Sequence, residues 1–170
     1  TNLVRMALQY EGWDIDVAAH VRRGGALLGI CGGYQMLGQT IEDPDGVEGA
    51  PETVSGLGYR PVTTRLTGDK RVVDVTGTSL REGAAFAGYE IHVGRTSALA
   101  SVQPLLRLAD STHDGVVSAD GRIAGCYIHR LFDHPAQRSA WLARLGVQCD
   151  GVAQEHRVDQ ALDAVAAGLE

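Results

Sequence analysis

A cysteine set between glycines is the feature of this sequence that best indicates chemistry. Residues 29–35 read Gly-Ile-Cys-Gly-Gly-Tyr-Gln. The apolar run 26–30 predicts a strand buried on both faces of a parallel sheet and ending at Cys31. Glycines after Cys31 predict a strand-to-helix elbow, where the helix N-terminus favours a thiolate and backbone N–H groups can hold an oxyanion. A buried structural cysteine is the commoner case, but it would not need flanking glycines.

A nucleophilic thiol needs a base, and two strand histidines are the candidates. Strand-like segments on either side of Asp120-Gly121 predict a hairpin that delivers His129 to a strand end near the elbow, which makes it the preferred base. His92 is the rival. Glu90 and His92 fall on one face of a predicted strand, where an oriented pair and a plain polar face are equally good interpretations.

The elements that must position these residues follow from local patterns. Helical spacing predicts helices at 3–10 and 15–23, and the Gly-, Pro- and acid-rich segment 42–58 predicts a loop near the nucleophile. Further predictions are strands at 59–66, 71–76 and 88–93, a helix capped by Asp133 and stopped by Gly146, and a final helix at 158–169 whose apolar face packs against the core. The expected fold class is α/β, with a mostly parallel sheet and helices on both faces.

Composition limits the classes of function. At 170 residues a single domain is expected, and a net charge of −6 with scattered Lys and Arg argues against a nucleic-acid partner. We see no run near the ~20 apolar residues of a membrane span. Three cysteines without Cys-x-x-Cys spacing indicate neither a disulfide framework nor a metal site, and reduced thiols fit a cytoplasmic location.

Three motifs in order resemble a known family. Residues 29–35, 88–96 (Gly-Tyr-Glu-Ile-His-Val-Gly-Arg-Thr) and 125–133 (Gly-Cys-Tyr-Ile-His-Arg-Leu-Phe-Asp) resemble the C-terminal class I glutamine amidotransferase (glutaminase) domain of the cobyric acid synthase family. The likeness covers almost the whole chain. It implies a class I glutamine amidotransferase-like (flavodoxin-like) fold over residues 1–170. It also implies that the N-terminal part of that domain and the ATP-dependent synthetase domain are lacking.

The resemblance also implies roles. Cys31 would attack the amide of glutamine and His129 would shuttle the proton that lets ammonia leave. Gln35 and His92 would help to bind glutamine, and the Gly32 N–H would contribute to the oxyanion hole. The glutaminase step would need no cofactor. ATP and Mg²⁺ would serve the synthetase domain, which amidates carboxylates of a corrin in cobalamin biosynthesis.

The chain departs from typical class I glutaminases after the histidine. They carry Glu two residues later, where this chain has Leu131, and Glu90 or Asp133 could orient His129 instead. For Asp133 the role of helix cap is an equally good interpretation. The phosphate-binding motif Gly-x-x-x-x-Gly-Lys-Ser/Thr is also missing, as expected for a chain without the synthetase domain.

Other functions fit parts of the sequence. One alternative is the glutaminase subunit of a cell-wall lipid amidation complex, and another is a truncated, non-catalytic domain that docks on a synthetase. A weaker alternative is a thiol hydrolase, suggested by the elbow alone. Gln35 makes glutamine the better choice of substrate.

Overall fold

The sheet is built from strands that are far apart in sequence. The computed structural model describes residues 2–149, 151–152 and 154–168. In chain order its elements are α1 (Asn2–Tyr10), α2 (Trp13–Arg22), β1 (Leu27–Ile30), α3 (Gly32–Met36), β2 (Thr40–Asp43), β3 (Glu52–Ser55), β4 (Val62–Ser79), β5 (Ala85–Ala98), β6 (Gln103–Leu108), β7 (His113–Val117), β8 (Ile123–Cys126), β9 (Ile128–His129), α4 (Pro135–Arg144) and α5 (Gln154–Ala167). The strands run β1-β8-β7-β6-β4-β2-β3 across the sheet, and β5 pairs with both β4 and β9.

The sheet is mixed, not mostly parallel. Within the described residues β1–β8 and β2–β4 are parallel and the other six pairings are antiparallel. The α/β class is confirmed and the expected majority of parallel pairs is corrected. One cause is a long hairpin, because residues 62–66 of the first predicted strand and all of the second, 71–76, belong to the single strand β4, which pairs antiparallel with β5.

Helices cover both faces of the sheet near β7 and β8, as predicted. On one face, Tyr34 of α3 packs in a cluster with Val116 and Tyr127. On the other face, Trp141 of α4 packs against a cluster that contains Val117. Successive strand residues point to opposite faces, so Val116 and Val117 assign the two clusters to the two sides.

The structure corrects two further predictions, one about a loop and one about a helix cap. The segment 42–58 is not a plain loop, because β2 and β3 pair in antiparallel register from Thr40↔Ser55 to Asp43↔Glu52. Asp133 does not cap α4. The cap is His134, whose Nδ1 accepts a hydrogen bond from the N–H of Ala136 at 3.2 Å. The predicted end of this helix near Gly146 is confirmed by its φ of 75°.

The apolar face of the last helix is exposed. Val158, Leu162 and Val165 of α5 are 46%, 62% and 63% exposed. The prediction that this face packs against the core is wrong for these three residues, and Leu169 lies outside the described residues. Helical periodicity located the helix but could not identify a surface for it to pack on.

Asp114 of β7 binds the backbone of Tyr127, the residue between β8 and β9. Its Oδ2 accepts a hydrogen bond from the N–H of Tyr127 at 2.9 Å. Burial raises the pKa of Asp114 to about 6, although the N–H groups of Tyr127 and Gly115 act in the opposite direction. The folded chain therefore holds the Asp114 proton more tightly than an unfolded chain, where the pKa is near 3.8.

This raised pKa predicts a stability that falls as the pH rises. The contribution of Asp114 is fully present below its unfolded pKa and is lost as the pH passes about 6. Asp114→Asn keeps an acceptor for Tyr127 and cannot ionise. We expect the melting temperature of Asp114→Asn minus that of the parent chain to be a few degrees larger at pH 7.5 than at pH 4.5. Calorimetry at both pH values measures this, and an equal offset at both would contradict it.

Candidate active site

Cys31 forms the strained elbow that the sequence predicts. It follows β1 and precedes α3, with φ 54° and ψ −116°. Such a backbone conformation is costly for a residue with a side chain, by about 1–3 kcal/mol, and such residues cluster at functional sites. The same strand–turn–helix strain exposes the nucleophile in enzymes with a nucleophile elbow.

The glycine that the elbow requires precedes the cysteine. Gly32 and Gly33, which were expected to permit the tight turn, do not have a positive φ. A Cβ at Gly29 would lie 2.6 Å from the carbonyl carbon and oxygen of Gly33 and 2.8 Å from the backbone nitrogen of Tyr34. The first turn of α3 therefore packs directly on β1, and this close approach needs glycine at 29.

The resting form of Cys31 is the thiol. Its Sγ donates a hydrogen bond to the carbonyl oxygen of Ile91 on β5 at 3.3 Å. Burial raises the pKa of the Cys31 thiol, and the N–H of Gly32 opposes this without overcoming it. The predicted preference for thiolate is wrong in direction, because desolvation exceeds the effect of the five-residue helix α3. A nucleophile in this state depends on a base.

His129 lies on the strand next to the one that Cys31 contacts. It pairs with Tyr89 of β5, and the two rings stack with centroids 5.1 Å apart and planes 4° apart. Its Nε2 is buried and has no hydrogen-bond partner among the described residues. Tyr89 and Ile91 are two residues apart on β5, about 7 Å along a strand. Strand β5 therefore brings Cys31 and His129 to one region.

Both predicted orienting carboxylates bind arginines instead. Glu90 is buried and forms an ion pair with Arg71 of β4. Glu90 pairs with Ile128 of β9, so strand alternation points it to the face opposite to that of His129. Asp133 accepts a hydrogen bond from Nε of Arg130 at 2.5 Å. These contacts argue against either carboxylate orienting His129.

Gln35 is a buried link between α3 and β5. Its Nε2 donates hydrogen bonds to the carbonyl oxygen of Val93 at 3.0 Å and to the hydroxyl of Tyr127 at 3.2 Å. The Tyr127 hydroxyl also lies 2.6 Å from Oγ1 of Thr96. The amide nitrogen of Gln35 thus holds the helix of the elbow on the strand, while its role in binding glutamine stays a prediction.

His92 also contacts Tyr127, through its ring. The rings of His92 and Tyr127 stack with centroids 3.7 Å apart, and His92 Nδ1 lies 3.2 Å from the carbonyl oxygen of Gly94. Burial lowers the pKa of His92, and the nearby charges of Arg71 and His129 act in the same direction. The possible pair with Glu90 does not form, because Arg71, the β4 partner of His92, takes that carboxylate.

Sequence reasoning missed the residues that connect these side chains. Tyr89, Arg71 and Tyr127 each contact a predicted site residue. Tyr89 and Tyr127 lie inside the motifs 88–96 and 125–133, so their position was a signal, but their contacts depend on a strand register that the sequence does not state. Nothing in the sequence near Arg71 indicated its role, because its ion pair with Glu90 joins two different strands, β4 and β5.

The described part of the chain offers neither a metal site nor a membrane-spanning helix. No cluster of three or more His, Cys, Asp and Glu side chains there is arranged to hold a metal ion. None of the helices formed by those residues is long and apolar enough to cross a membrane.

Solved structures share this fold. One is described as a glutamine amidotransferase and is 22% identical, with a TM-score of 0.60 over 85% of this chain and 74% of that chain. Another is PurLQS from Thermotoga maritima, which is 18% identical, with a TM-score of 0.50 over 75% of this chain and 58% of that chain. These likenesses show that the chain has a class I glutamine amidotransferase fold, as predicted.

The sequence comparison identifies the family. The model of the CobB/CobQ-like glutamine amidotransferase domain matches residues 4–137, so the chain belongs to that family. Cobyric acid synthases from Methylocella silvestris and Methylobacterium nodulans are each 54% identical to it, over 96% and 97% of this chain. The chain spans 34% of the length of each of these relatives. The predicted resemblance to the cobyric acid synthase family is confirmed.

Proposed function

We propose that this chain is the glutaminase part of a cobyric acid synthase. It hydrolyses glutamine to glutamate and ammonia, and the ammonia is used to amidate carboxylates of a corrin in cobalamin biosynthesis. The observation that carries the proposal is the strained elbow at Cys31, which contacts β5 at Ile91, together with His129 of β9, which pairs with Tyr89 two residues away on β5. The 54% identity to cobyric acid synthases supports the choice of pathway.

The hydrolysis of glutamine needs no reactant other than water. Sγ of Cys31 bonds to the side-chain carbonyl carbon of glutamine while His129 takes the thiol proton. The C–N bond then breaks, and His129 gives that proton to the leaving nitrogen, which departs as ammonia. Water, deprotonated by His129, hydrolyses the thioester to glutamate and restores the thiol. Because burial raises the pKa of Cys31, the first proton transfer is essential.

The surroundings of Cys31 can stabilise the oxyanion of each step. The N–H of Gly32 interacts with the Cys31 sulfur and follows the nucleophile directly, which is where an elbow places an oxyanion donor. Gln35 and His92 are proposed to contribute to the glutamine pocket.

The remaining steps belong to an ATP-dependent synthetase domain. That domain would use ATP and Mg²⁺ to activate the corrin carboxylates and would receive ammonia from this chain, whereas the glutaminase step itself uses no cofactor. A cytoplasmic location is part of this proposal. The assignment to a cell-wall lipid amidation complex is the weaker one, because the relatives described above are cobyric acid synthases.

A glutamine-shaped affinity label tests the proposal within one molecule. Cys149 is the natural comparison, because the N–H of Gly151 and the side chain of Arg138 lower its pKa, whereas the pKa of Cys31 is raised. A reagent that responds only to thiolate content should prefer Cys149. A diazoketone analogue of glutamine is expected to modify Cys31 alone, with one adduct per chain by intact mass and its position fixed by peptide mapping.

Protection completes this test. Excess glutamine should slow the labelling of Cys31, and iodoacetamide should reverse the selectivity toward Cys149. Labelling of Cys149 by the diazoketone at the same rate as Cys31, or no effect of glutamine, would rule out a glutamine pocket at Cys31. An absence of any adduct on folded protein would favour the docking-only alternative.

A further inference from the structure

His129 has a neighbour that can take over the orienting task. Its Nε2 is buried and without a hydrogen-bond partner among the described residues, and the carboxylates predicted to orient it are bound to Arg71 and Arg130. An imidazole that moves protons at a fixed sulfur must keep its plane and direction. With Glu90 and Asp133 bound to arginines, another contact is needed to hold the ring.

The ring of Tyr89 meets this requirement. Tyr89 and His129 are directly opposite each other on β5 and β9, so their side chains project from the same face of the strand pair. Their planes differ by only 4°, with centroids 5.1 Å apart, which is an offset-stacked aromatic pair. The contact covers one face of the imidazole and is made through the rings, without a hydrogen bond to either ring nitrogen.

The backbone beside Tyr89 fixes the approach of β9. A Cβ at Gly88 would lie 2.2 Å from the carbonyl oxygen of His129 and 2.9 Å from Cγ2 of Ile128. The two strands therefore touch closely where His129 is anchored. This leaves the stacked ring little freedom to slide along the strand.

Tyr89 also lies between two environments, since it stacks on His129 and lines a large cleft. A cavity of about 710 Å³ is lined by Tyr89 together with residues that include Asp74, Thr76, Arg130 and Val158, and His129 does not line it. Removal of the Tyr89 ring would open one face of the imidazole to the water of this cleft. The ring thus gives both orientation and shielding.

We propose that Tyr89 is a positioning residue for His129, holding the imidazole by stacking in place of the usual carboxylate. The proposal rests on the function assigned above. It implies that the aromatic ring is required and that the hydroxyl is not. Tyr89→Phe should therefore behave like the parent chain, whereas Tyr89→Leu should not.

Kinetics and NMR on the full chain test this. Tyr89→Leu is expected to lower kcat for glutamine hydrolysis by about three- to tenfold, the scale of a lost aromatic stack, with KM unchanged. Tyr89→Phe should restore kcat to within about twofold. Thr76→Ala, on the same cleft wall but away from His129, should leave both constants unchanged. Equal losses in the Phe and Leu variants, or a change in KM alone, would overturn the proposal.

The NMR measurement distinguishes a failure of the stacking proposal from a failure of the proposed glutaminase function. The ring protons of His129, assigned with His129→Gln, should be shifted upfield by the ring current of Tyr89 in the parent chain and in Tyr89→Phe. In Tyr89→Leu the shift should be lost. If the parent chain does not hydrolyse glutamine, the proposed function is wrong. The stacking of Tyr89 on His129 is wrong if the His129 ring signals are the same in all three proteins.

Discussion

Replacement of Cys31 by serine is expected to lower glutamine hydrolysis by at least about 10³-fold, because the hydroxyl is a far weaker nucleophile than the thiol at this site. Serine matches the size of cysteine, so the elbow with its φ of 54° should persist. Cys31→Ala should be equally inactive. Release of glutamate measured by coupled assay, with the melting temperature as a check of folding, gives the result.

The other thiols provide the controls for Cys31. Cys149→Ser removes a half-buried thiol of lowered pKa and should keep full activity. Cys126 is fully buried, and burial raises its pKa, so it should react with no reagent while the chain is folded. A Cys31→Ser protein that retains more than a tenth of the parent rate would refute covalent catalysis at this position.

The elbow could be predicted because its causes are local. An apolar run that ends in Gly-Ile-Cys-Gly-Gly predicts a buried strand, a sharp turn and a helix start, and β1, Cys31 and α3 follow this order. The role of glycine was assigned to the wrong position, since the close contact involves Gly29 and not Gly33. That contact is between a strand and the first turn of a helix, so it emerges only when the two elements pack.

The rest of the site could not be predicted because it depends on β5. Cys31 contacts this strand at Ile91, Gln35 contacts it at Val93, and His129 pairs with it at Tyr89. All three contacts join residues far apart in the chain, and their geometry depends on one strand register. A register different by one residue would reverse which side chains face His129.

The charged pairs show the same limit. Glu90 and Asp133 were reasonable partners for His129 by sequence position, yet arginines take both. Arg71 reaches Glu90 because the register of β4 on β5 places Arg71 opposite His92 and Val73 opposite Glu90. The direction of the Cys31 pKa was missed for a related reason, since the extent of burial is a property of the packed elbow and not of its sequence.

Gly29→Ala is expected to disrupt the elbow without touching any reacting atom. The new methyl group would lie 2.6 Å from the carbonyl carbon and oxygen of Gly33, and backbone atoms cannot swing aside as a side chain can. Either β1 or the start of α3 must shift, at a cost of about 2 kcal/mol or more. Unfolding by denaturant should show this loss, and the diazoketone should no longer label Cys31 selectively.

Gly33→Ala is the matched control, because it adds the same methyl group four residues later. A Cβ at Gly33 meets nothing within 4 Å among the described residues, and its φ is not positive. Alanine there should keep the fold and add up to about 0.5–1 kcal/mol of stability, since glycine is unfavourable within a helix. If Gly29→Ala were as stable as Gly33→Ala and still labelled at Cys31, the tight contact between β1 and α3 could not be what positions the nucleophile.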